Sequence, residues 1–297
     1  MAVTGSGTQQ DPYIVENWED FLSIKSSSIA QYIKFANVSN KVIDFNDIQP
    51  EGFDSPITMN GYFDFNGWEF RNMKFNSTSS CFKYSTIEGT TYPILELKNL
   101  KLTNFVWDAS TSSETRYLFH QVSSTAPTSS NACKVYDVRI NGEITTYTNN
   151  TIFLFHNMYT TECNIVLNIS LINNNSSAVG LRVYLYGDGI QNSNIKIVGT
   201  GLMTFAPGSI KNSLIQGKMD CDSNNMVLYF GNNSNSNVIL LETSSNISYS
   251  GGISIFNNVI APNVVETTYL KGCTTEQLKD PAYLASIGFN IYGQVIS

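Results

Sequence analysis

Charged side chains are scarce in this sequence. They make up 14% of the 297 residues, well below the roughly 25% that is typical of soluble proteins. Lys and Arg total 17 against 24 Asp and Glu, which gives a net charge of −7, and no run of basic residues appears. Nucleic-acid binding needs clustered basic side chains to contact phosphates. The sequence therefore predicts no nucleic-acid partner.

Long apolar runs are also missing. No stretch reaches the roughly 18 consecutive apolar residues that are read as a membrane-spanning helix. The first seven residues show neither the charged nor the apolar region of a Sec-type signal peptide. We therefore expect no membrane insertion. The chain either does not use this export route or has had its signal peptide replaced by a start codon.

Metal and redox signatures are sparse as well. The five cysteines form no Cys-x-x-Cys pair, so we expect buried, reduced thiols that pack as small hydrophobic groups. The chain has two histidines. His120 and His156 each follow aromatic or apolar residues and lie far from acidic residues in the sequence, so we interpret them as wall histidines rather than a catalytic dyad or a metal pair. The sequence predicts no cofactor, no metal and no catalytic residue.

A short motif recurs along the chain instead. It consists of Asn or another small polar residue, then three to five residues that alternate apolar and polar, then Asn or Gly. It occurs at residues 99–102, 134–142, 164–169, 194–199, 212–217, 237–241 and 257–260.

Each repeat has the length of one short strand with alternate side chains turned inward. One such strand cannot bury its inner face alone, whereas a stack of them can. Asn suits the corners between strands because it tolerates positive φ, and stacked Asn residues form amide ladders. The repeat therefore predicts an all-β chain that folds as a right-handed parallel β-helix, a solenoid.

Helical signals lie near both ends of the chain. Asn17 is a suitable N-cap for an amphipathic helix at 18–24, and Asp280-Pro281 begin a second short helix that Gly288 ends. We expect these helices to cap the solenoid. The predicted organisation is one structural domain. It consists of an N-terminal segment and capping helix at 1–30, a β-helix at 31–270, and a C-terminal helical cap and tail at 271–297.

An antiparallel sandwich or jelly roll is the alternative fold. It requires tight hairpin turns between paired strands, and Asn-Gly is the dipeptide that such turns prefer. Asn66-Gly67 and Asn141-Gly142 fit that requirement. The other junctions lack this chemistry, so the solenoid is favoured.

Both ends also carry a family resemblance. Residues 5–15, GSGTQQDPYIV, resemble the "GSGTxxDPYxI" opening of repeat-rich β-helical surface adhesins and phage proteins. Residues 275–290 resemble the closing "TTEQLK…Y…GFD" segment of the same proteins, with Asn290 where Asp is commoner. The resemblance implies a β-helical module. Because the opening motif begins at Gly5, we expect the module to be the entire chain, which is more typical of a virion component than of a bacterial surface protein.

Two groups of residues are candidates for binding. Tyr184 and Tyr186 alternate along a predicted strand and so share one face; together with Asp188 they are predicted to bind carbohydrate. The other interpretation of the tyrosines is a stack between rungs or subunits. Asp188 lies between two glycines, and its other interpretation is a turn residue. Asp220 and Asp222 also share a face and suggest an acidic or calcium site rather than a catalytic pair.

We therefore predict a non-enzymatic bacteriophage virion structural protein, such as an appendage, fibre, tail or collar component, that acts in host attachment or glycan binding. Its expected partners are other virion proteins and a host surface glycan, and its expected assembly is a homodimer or homotrimer. Its expected location is the virion, after assembly in the host cytoplasm.

Two other functions stay open at this point. One is a tailspike-like glycan hydrolase or lyase, for which the sequence shows no Arg-x-Lys or His-Gly signature. A groove that holds carboxylates about 5–10 Å apart would favour it. The other is a bacterial adhesin, located outside the cell or at its surface.

Overall fold

The computed structural model describes residues 3–25, 31–76, 79–85, 95–109, 115–122, 133–147, 151–156 and 158–172. Beyond these it describes eleven short strands between Leu181 and Gly272, together with residues 274, 276–277 and 280–286.

The described residues contain 27 strands in three parallel sheets. The first sheet consists, in spatial order, of β1 (Tyr13–Val15), β2 (Gln31–Phe35), β5 (Gly61–Asp64), β9 (Leu95–Lys98), β12 (Cys133–Tyr136), β15 (Met158–Thr161), β18 (Gly189–Gln191) and β21 (Ile210–Lys211). The second consists of β3 (Val42–Asp44), β6 (Glu69–Arg71), β10 (Lys101–Ala109), β13 (Arg139–Tyr147), β16 (Asn164–Ile172), β19 (Asn194–Thr200), β22 (Leu214–Asp220), β24 (Val238–Glu242), β26 (Val259–Ala261) and β27 (Leu270–Gly272), with β7 (Lys74–Asn76) also paired to β10. The third consists of β4 (Ile57–Met59), β8 (Ser80–Ser85), β11 (Thr115–Val122), β14 (Thr151–His156), β17 (Leu181–Tyr184), β20 (Leu202–Gly208), β23 (Asn225–Phe230) and β25 (Asn246–Ser250).

The chain visits the three sheets in turn. From β2 to β23 it passes from the first sheet to the second, then to the third, and back to the first, with β7 as an additional strand of the second sheet. We call one such passage a circuit. Strands of successive circuits pair in parallel, so that Tyr32 lies opposite Tyr62 and Tyr62 opposite Glu96. Residues one circuit apart are therefore lateral neighbours within a sheet.

The predicted fold is corrected by this arrangement. The described strands form three separate parallel sheets and not a closed right-handed β-helix, or solenoid. The sequence motif indicates strands with one buried face, because apolar and polar residues alternate with a period of two wherever one face of a strand is covered. It carries no information on how neighbouring sheets join, since that depends on the connections between strands.

The sandwich alternative is also wrong for the described strands, whose pairings are all parallel in the three sheets. Asn141-Gly142 lies inside β13 and is not a hairpin turn. Gly142 is needed there because a Cβ atom would lie 2.2 Å from the carbonyl oxygen of Phe105. Opposite it, the register shifts between Thr103 and Phe105, and the extra residue, Asn104, adopts a φ of 53°. The glycine thus accommodates a β-bulge in β10.

Buried side chains from all three sheets form one hydrophobic core. Aromatic rings dominate it, and several stack on rings of the next circuit. In the third sheet Phe119 lies between Phe82 and Phe155, with ring centroids 4.9 and 5.3 Å away. The in-register pairing of parallel strands places these equivalent side chains one above the other.

Asparagines with positive φ occupy corners, as the sequence predicted. Asn66 (φ 51°), Asn72 (58°) and Asn99 (60°) each follow a strand end. The amide Nδ2 of Asn104 donates to Oδ1 of Asn72 over 3.1 Å, and Asn72 Nδ2 donates to Asp44 Oδ1 over 2.8 Å. The expected ladder of stacked corner side chains is confirmed at this corner, with Asp44 as its last member.

Three short helices are described, α1 (Trp18–Ile24), α2 (Phe45–Ile48) and α3 (Pro281–Ser286). The prediction of α1 is confirmed, since the Asn17 side chain accepts a hydrogen bond from the Asp20 amide. Trp18 and Phe21 enter the core, whereas Leu22 is 43% exposed. Asp280 accepts from the Ala282 amide at the start of α3, and the capping role of α3 stays a prediction. Within the described residues no helix has the length and apolar character of a membrane span.

Candidate binding cleft on the first sheet

A cleft of about 440 Å³ lies on the outer side of the first sheet. Strands β2, β5 and β9 form its floor, and the N-terminal segment forms one wall. Alternation along the strands decides which side chains reach it. Ile33, Phe63 and Leu97 point into the core and are at most 1% exposed, so the residues on either side of them point outward.

The N-terminal wall is a hydrogen-bonded loop. The Tyr32 amide donates to the Gly7 carbonyl over 2.9 Å, which ties the loop to β2. Within the loop the Thr8 amide donates to the Asp11 carbonyl over 3.2 Å, and the Asp11 amide donates to Thr8 Oγ1 over 3.1 Å. Residues 9–10, both glutamines, lie at the exposed tip of this loop and line the cleft.

Glycine makes the loop possible. Gly7 has a φ of 75°, and a Cβ atom there would lie 2.6 Å from the ring of Tyr13. A positive φ is readily adopted by glycine and strained for most other residues. The GSGTQQDPY motif noted in the sequence thus has a local structural role, because it holds two glutamine side chains beside the cleft.

Two tyrosines form the centre of the floor. The rings of Tyr32 and Tyr62 stack with centroids 4.2 Å apart and planes 4° from parallel. Because the rings cover each other's inner faces, the cleft receives their edges, their hydroxyls and their outer faces. Burial raises the pKa of Tyr62 to about 12, and the neighbouring Tyr32 and Glu96 add to the shift. Its phenol therefore stays neutral, and a neutral hydroxyl can both donate and accept hydrogen bonds.

Charged groups alternate beside the tyrosine stack. The ammonium of Lys98 lies 3.9 Å from Asp64 Oδ2 and 3.7 Å from Glu96 Oε1. Asp64 also accepts hydrogen bonds from Asn99 Nδ2 over 2.7 Å and from the Asn66 amide over 2.9 Å. The Asp64 carboxylate is therefore fixed by three partners. The carboxylates of Asp64 and Glu96 and the ammonium of Lys98 offer hydrogen-bond acceptors and a donor at fixed positions in the cleft.

The two carboxylates of the cleft bear on the enzymatic alternative. Because both contact one ammonium, the oxygens of Asp64 and Glu96 are separated by at most about 8 Å, a spacing that the paired carboxylates of glycoside hydrolases also use. Hydrolysis further needs one of the two as a protonated general acid. Here both form ion pairs with Lys98, and Asp64 has two further donors. This arrangement suits the binding of hydroxyl groups better than proton transfer.

The structure does not describe the side chains of the sequence-predicted site residues. Tyr184 ends β17 in the third sheet and Asp220 ends β22 in the second, and their side chains are outside the described part of the chain. Tyr186, Asp188 and Asp222 are outside it altogether. The carbohydrate site and the acidic or calcium site therefore stay predictions.

Sequence reasoning missed the residues of the cleft, although a signal was present. Gln31-Tyr32-Ile33-Lys34 and Gly61-Tyr62-Phe63-Asp64 share the order of tyrosine, apolar residue and charged residue. They lie one circuit apart and pair in register. A search for outward-facing residues that recur at this interval identifies Tyr32 and Tyr62 as neighbours.

Two of the cysteines and both histidines are described. Cys81 and Cys163 are buried, reduced thiols, as expected; the side chains of the other three lie outside the described residues. His120 and His156 pair in register between β11 and β14, which brings together two residues that are 36 positions apart. Both are half-buried on the outer side of the third sheet.

Comparison with known proteins gives no match: no protein-family model, no curated protein and no solved structure is significantly similar to this chain. The interpretation of the cleft therefore depends on its own geometry.

Proposed function

We propose that the cleft binds a carbohydrate and that the protein is a non-enzymatic attachment component of a bacteriophage virion. The observation that supports carbohydrate binding is the stacked pair Tyr32–Tyr62 beside the alternating charges of Asp64, Lys98 and Glu96. Support for the virion comes from the resemblance of residues 5–15 and 275–290 to β-helical phage proteins. Other virion proteins and a host surface glycan are the proposed partners.

The chemistry of a sugar matches the groups in the cleft. Sugar hydroxyls donate to carboxylates and accept from ammonium groups, and hydrogen bonds to charged groups are stronger than neutral ones. Aromatic rings with a polar end, such as tyrosine, contact apolar and polar parts of one ligand together. The cleft volume of about 440 Å³ lies within the range of about 300–1,000 Å³ seen for small-molecule sites.

The site is also ordered before any ligand arrives. The Tyr32–Tyr62 stack, the ion pairs of Lys98 and the hydrogen bonds of Asp64 fix the floor of the cleft. A ligand then loses less free energy to the ordering of protein side chains. Fixed donors and acceptors also favour sugars whose hydroxyls match their positions.

Binding is tested with the purified full chain on an array of bacterial capsular and lipopolysaccharide glycans, followed by titration calorimetry with a bound polysaccharide. Tyr32→Phe and Tyr62→Phe remove the hydroxyls but keep the stacked rings. Each is expected to weaken binding about five- to tenfold, the value of one hydrogen bond. Tyr117→Phe, on the third sheet, is the matched control and is expected to leave binding unchanged. Binding to no glycan, or equal binding by the cleft variants, would overturn the proposal.

The enzymatic alternative has its own measurement. The bound polysaccharide is incubated with the protein, and the release of reducing or unsaturated ends is followed. We expect none. Release that is lost in both Asp64→Asn and Glu96→Gln would show that the two carboxylates are catalytic and would contradict a non-enzymatic role.

Assembly is the remaining part of the proposal. We propose a homodimer or homotrimer because the outer faces of the parallel sheets offer surfaces for pairing. Sedimentation equilibrium of the purified chain measures its mass in solution. A monomer at all accessible concentrations would contradict this part and leave the carbohydrate proposal intact.

A further inference from the structure

Four half-buried rings lie together on the outer side of the third sheet: Tyr117, His120, Phe153 and His156. In-register pairing places Tyr117 opposite Phe153 and His120 opposite His156. These are the only two histidines of the chain. The fold therefore brings both imidazoles to adjacent strands, with their side chains on one face.

The separation of the imidazoles follows from the in-register pairing of β11 and β14, and it fits two ligands on one metal ion. Their ring centroids are 5.2 Å apart and the ring planes meet at 73°. A tetrahedral Zn²⁺ that binds one nitrogen of each imidazole at about 2.0–2.1 Å holds the ring centroids roughly 5 Å apart. In place of the wall histidines that the sequence suggested, we infer that His120 and His156 form a two-imidazole site for a divalent transition metal such as Zn²⁺. The site is independent of the carbohydrate cleft.

Neighbouring rings hold the pair in place. Tyr117 stacks on His120, with centroids 3.8 Å apart and planes 14° from parallel, and contacts His156 edge to face at 4.8 Å. Phe153 contacts His156 at 5.3 Å, also edge to face. These contacts restrict the imidazole rotamers before a metal binds, which lowers the ordering cost of chelation.

One positive charge lies beside the pair. Lys83 pairs in register with His120, and its positive charge opposes a bound cation.

The coordination shell would be open. Among the residues that the structure describes, no cluster of three or more His, Cys, Asp or Glu side chains is suitable for a metal. Within the described part of the chain, water or an external ligand would therefore occupy the positions not taken by imidazole. Imidazole ligands suit Zn²⁺, Cu²⁺ and Ni²⁺.

The test uses the full chain without an affinity tag, titrated with ZnCl₂ while the imidazole Cε1–H proton signals are followed by NMR. With two histidines in the chain, each signal reports on one ligand even if cysteines also bind zinc. Both signals are expected to shift together and to saturate at one zinc per chain. His120→Gln and His156→Gln are each expected to weaken zinc binding at the remaining imidazole about tenfold or more, because the chelate is lost.

Two further variants sharpen the result. Lys83→Gln is expected to tighten zinc binding a few-fold, since it removes the opposing charge, while Lys101→Gln on the second sheet is expected to change nothing. Imidazole signals that stay unchanged at millimolar zinc, or shift with equal midpoints in wild type and both histidine variants, would overturn the proposal. If a variant fails to fold, the joint shift and stoichiometry of the wild-type signals decide by themselves.

Discussion

The outer sides of the first and third sheets are built in the same way and differ in chemistry. On the first sheet Tyr32 and Tyr62 stack, and the column continues with Glu96. On the third sheet His120 lies opposite His156, beside the paired rings of Tyr117 and Phe153. Because strands of successive circuits pair in parallel and in register, outward-facing residues at equivalent positions lie side by side. We call such a row of side chains a column. The side chains that recur, and not the fold, decide whether that column offers hydroxyls and charges or imidazoles.

Burial also shifts the pKa of one residue in each column, and the two shifts have opposite directions. Burial raises the pKa of Tyr62 to about 12 and lowers the pKa of His120 to about 4. In each case burial penalises the charged form, which is an anion for tyrosine and a cation for histidine. Both groups therefore stay neutral across a wide pH range, so that each column keeps one hydrogen-bonding or ligating character.

The largest expected effect concerns the core stack beneath the third-sheet column. Phe119 is fully buried between Phe82 and Phe155. Phe119→Ala is expected to lower the free energy of unfolding by about 3–5 kcal/mol, because it removes a large buried ring and leaves a cavity. Urea unfolding followed by circular dichroism measures the change. A loss below about 1 kcal/mol would show that the stack is not essential for the third sheet.

Acid should destabilise the protein through the third-sheet column. His120 becomes protonated near pH 6.5 in the unfolded chain but only near pH 4 in the folded protein. The contribution of His120 to stability is therefore complete above pH 6.5 and is lost as the pH falls to 4, by about 1–2 kcal/mol after allowance for solvent screening. Urea midpoints at several pH values measure this loss. His120→Asn is expected to remove this part of the pH dependence, and an unchanged slope would contradict the assignment.

Alkali should act through the first-sheet column, with a smaller effect. The pKa of Tyr62 is raised from 10 to about 12, so the unfolded chain loses this proton first. The contribution of Tyr62 is complete below pH 10 and is lost as the pH rises to 12, by less than about 1 kcal/mol because the ring is partly exposed. In an ultraviolet titration, wild type should show one tyrosine that ionises near pH 12, and Tyr62→Phe should lack it. A difference at pH 10 instead would place Tyr62 in an ordinary environment.

A similarly small effect is expected from the ion pairs in the cleft. Lys98 is 40% exposed at its side chain and contacts Asp64 and Glu96 at 3.9 and 3.7 Å. Lys98→Met should therefore lower the free energy of unfolding by no more than about 1 kcal/mol. The same variant is expected to reduce glycan binding clearly, because a donor is lost. A large loss of stability with unchanged binding would make Lys98 a structural residue.

The sequence allowed the elements to be predicted better than their assembly. The alternation in Asn99-Leu100-Lys101-Leu102 and its equivalents correctly indicated strands, and Asn17 and Asp280 correctly marked the starts of helices. The closed solenoid was wrong because the connections between sheets carry no periodic signal. The cleft was missed because it depends on Tyr32 and Tyr62 becoming neighbours, which is known only once the circuit length is known.

The N-terminal loop has a consequence for the outer edge of the first sheet. β1 is the last strand on that side, and its Ile14 amide donates over 2.9 Å to the carbonyl of Thr4 in an antiparallel bridge. An uncovered edge strand pairs readily with strands of other molecules and so promotes aggregation. Here part of the pairing capacity of β1 is taken up within the chain. A neighbouring molecule would have to displace Thr4 before it added a strand, so the loop protects this edge against unwanted polymerisation.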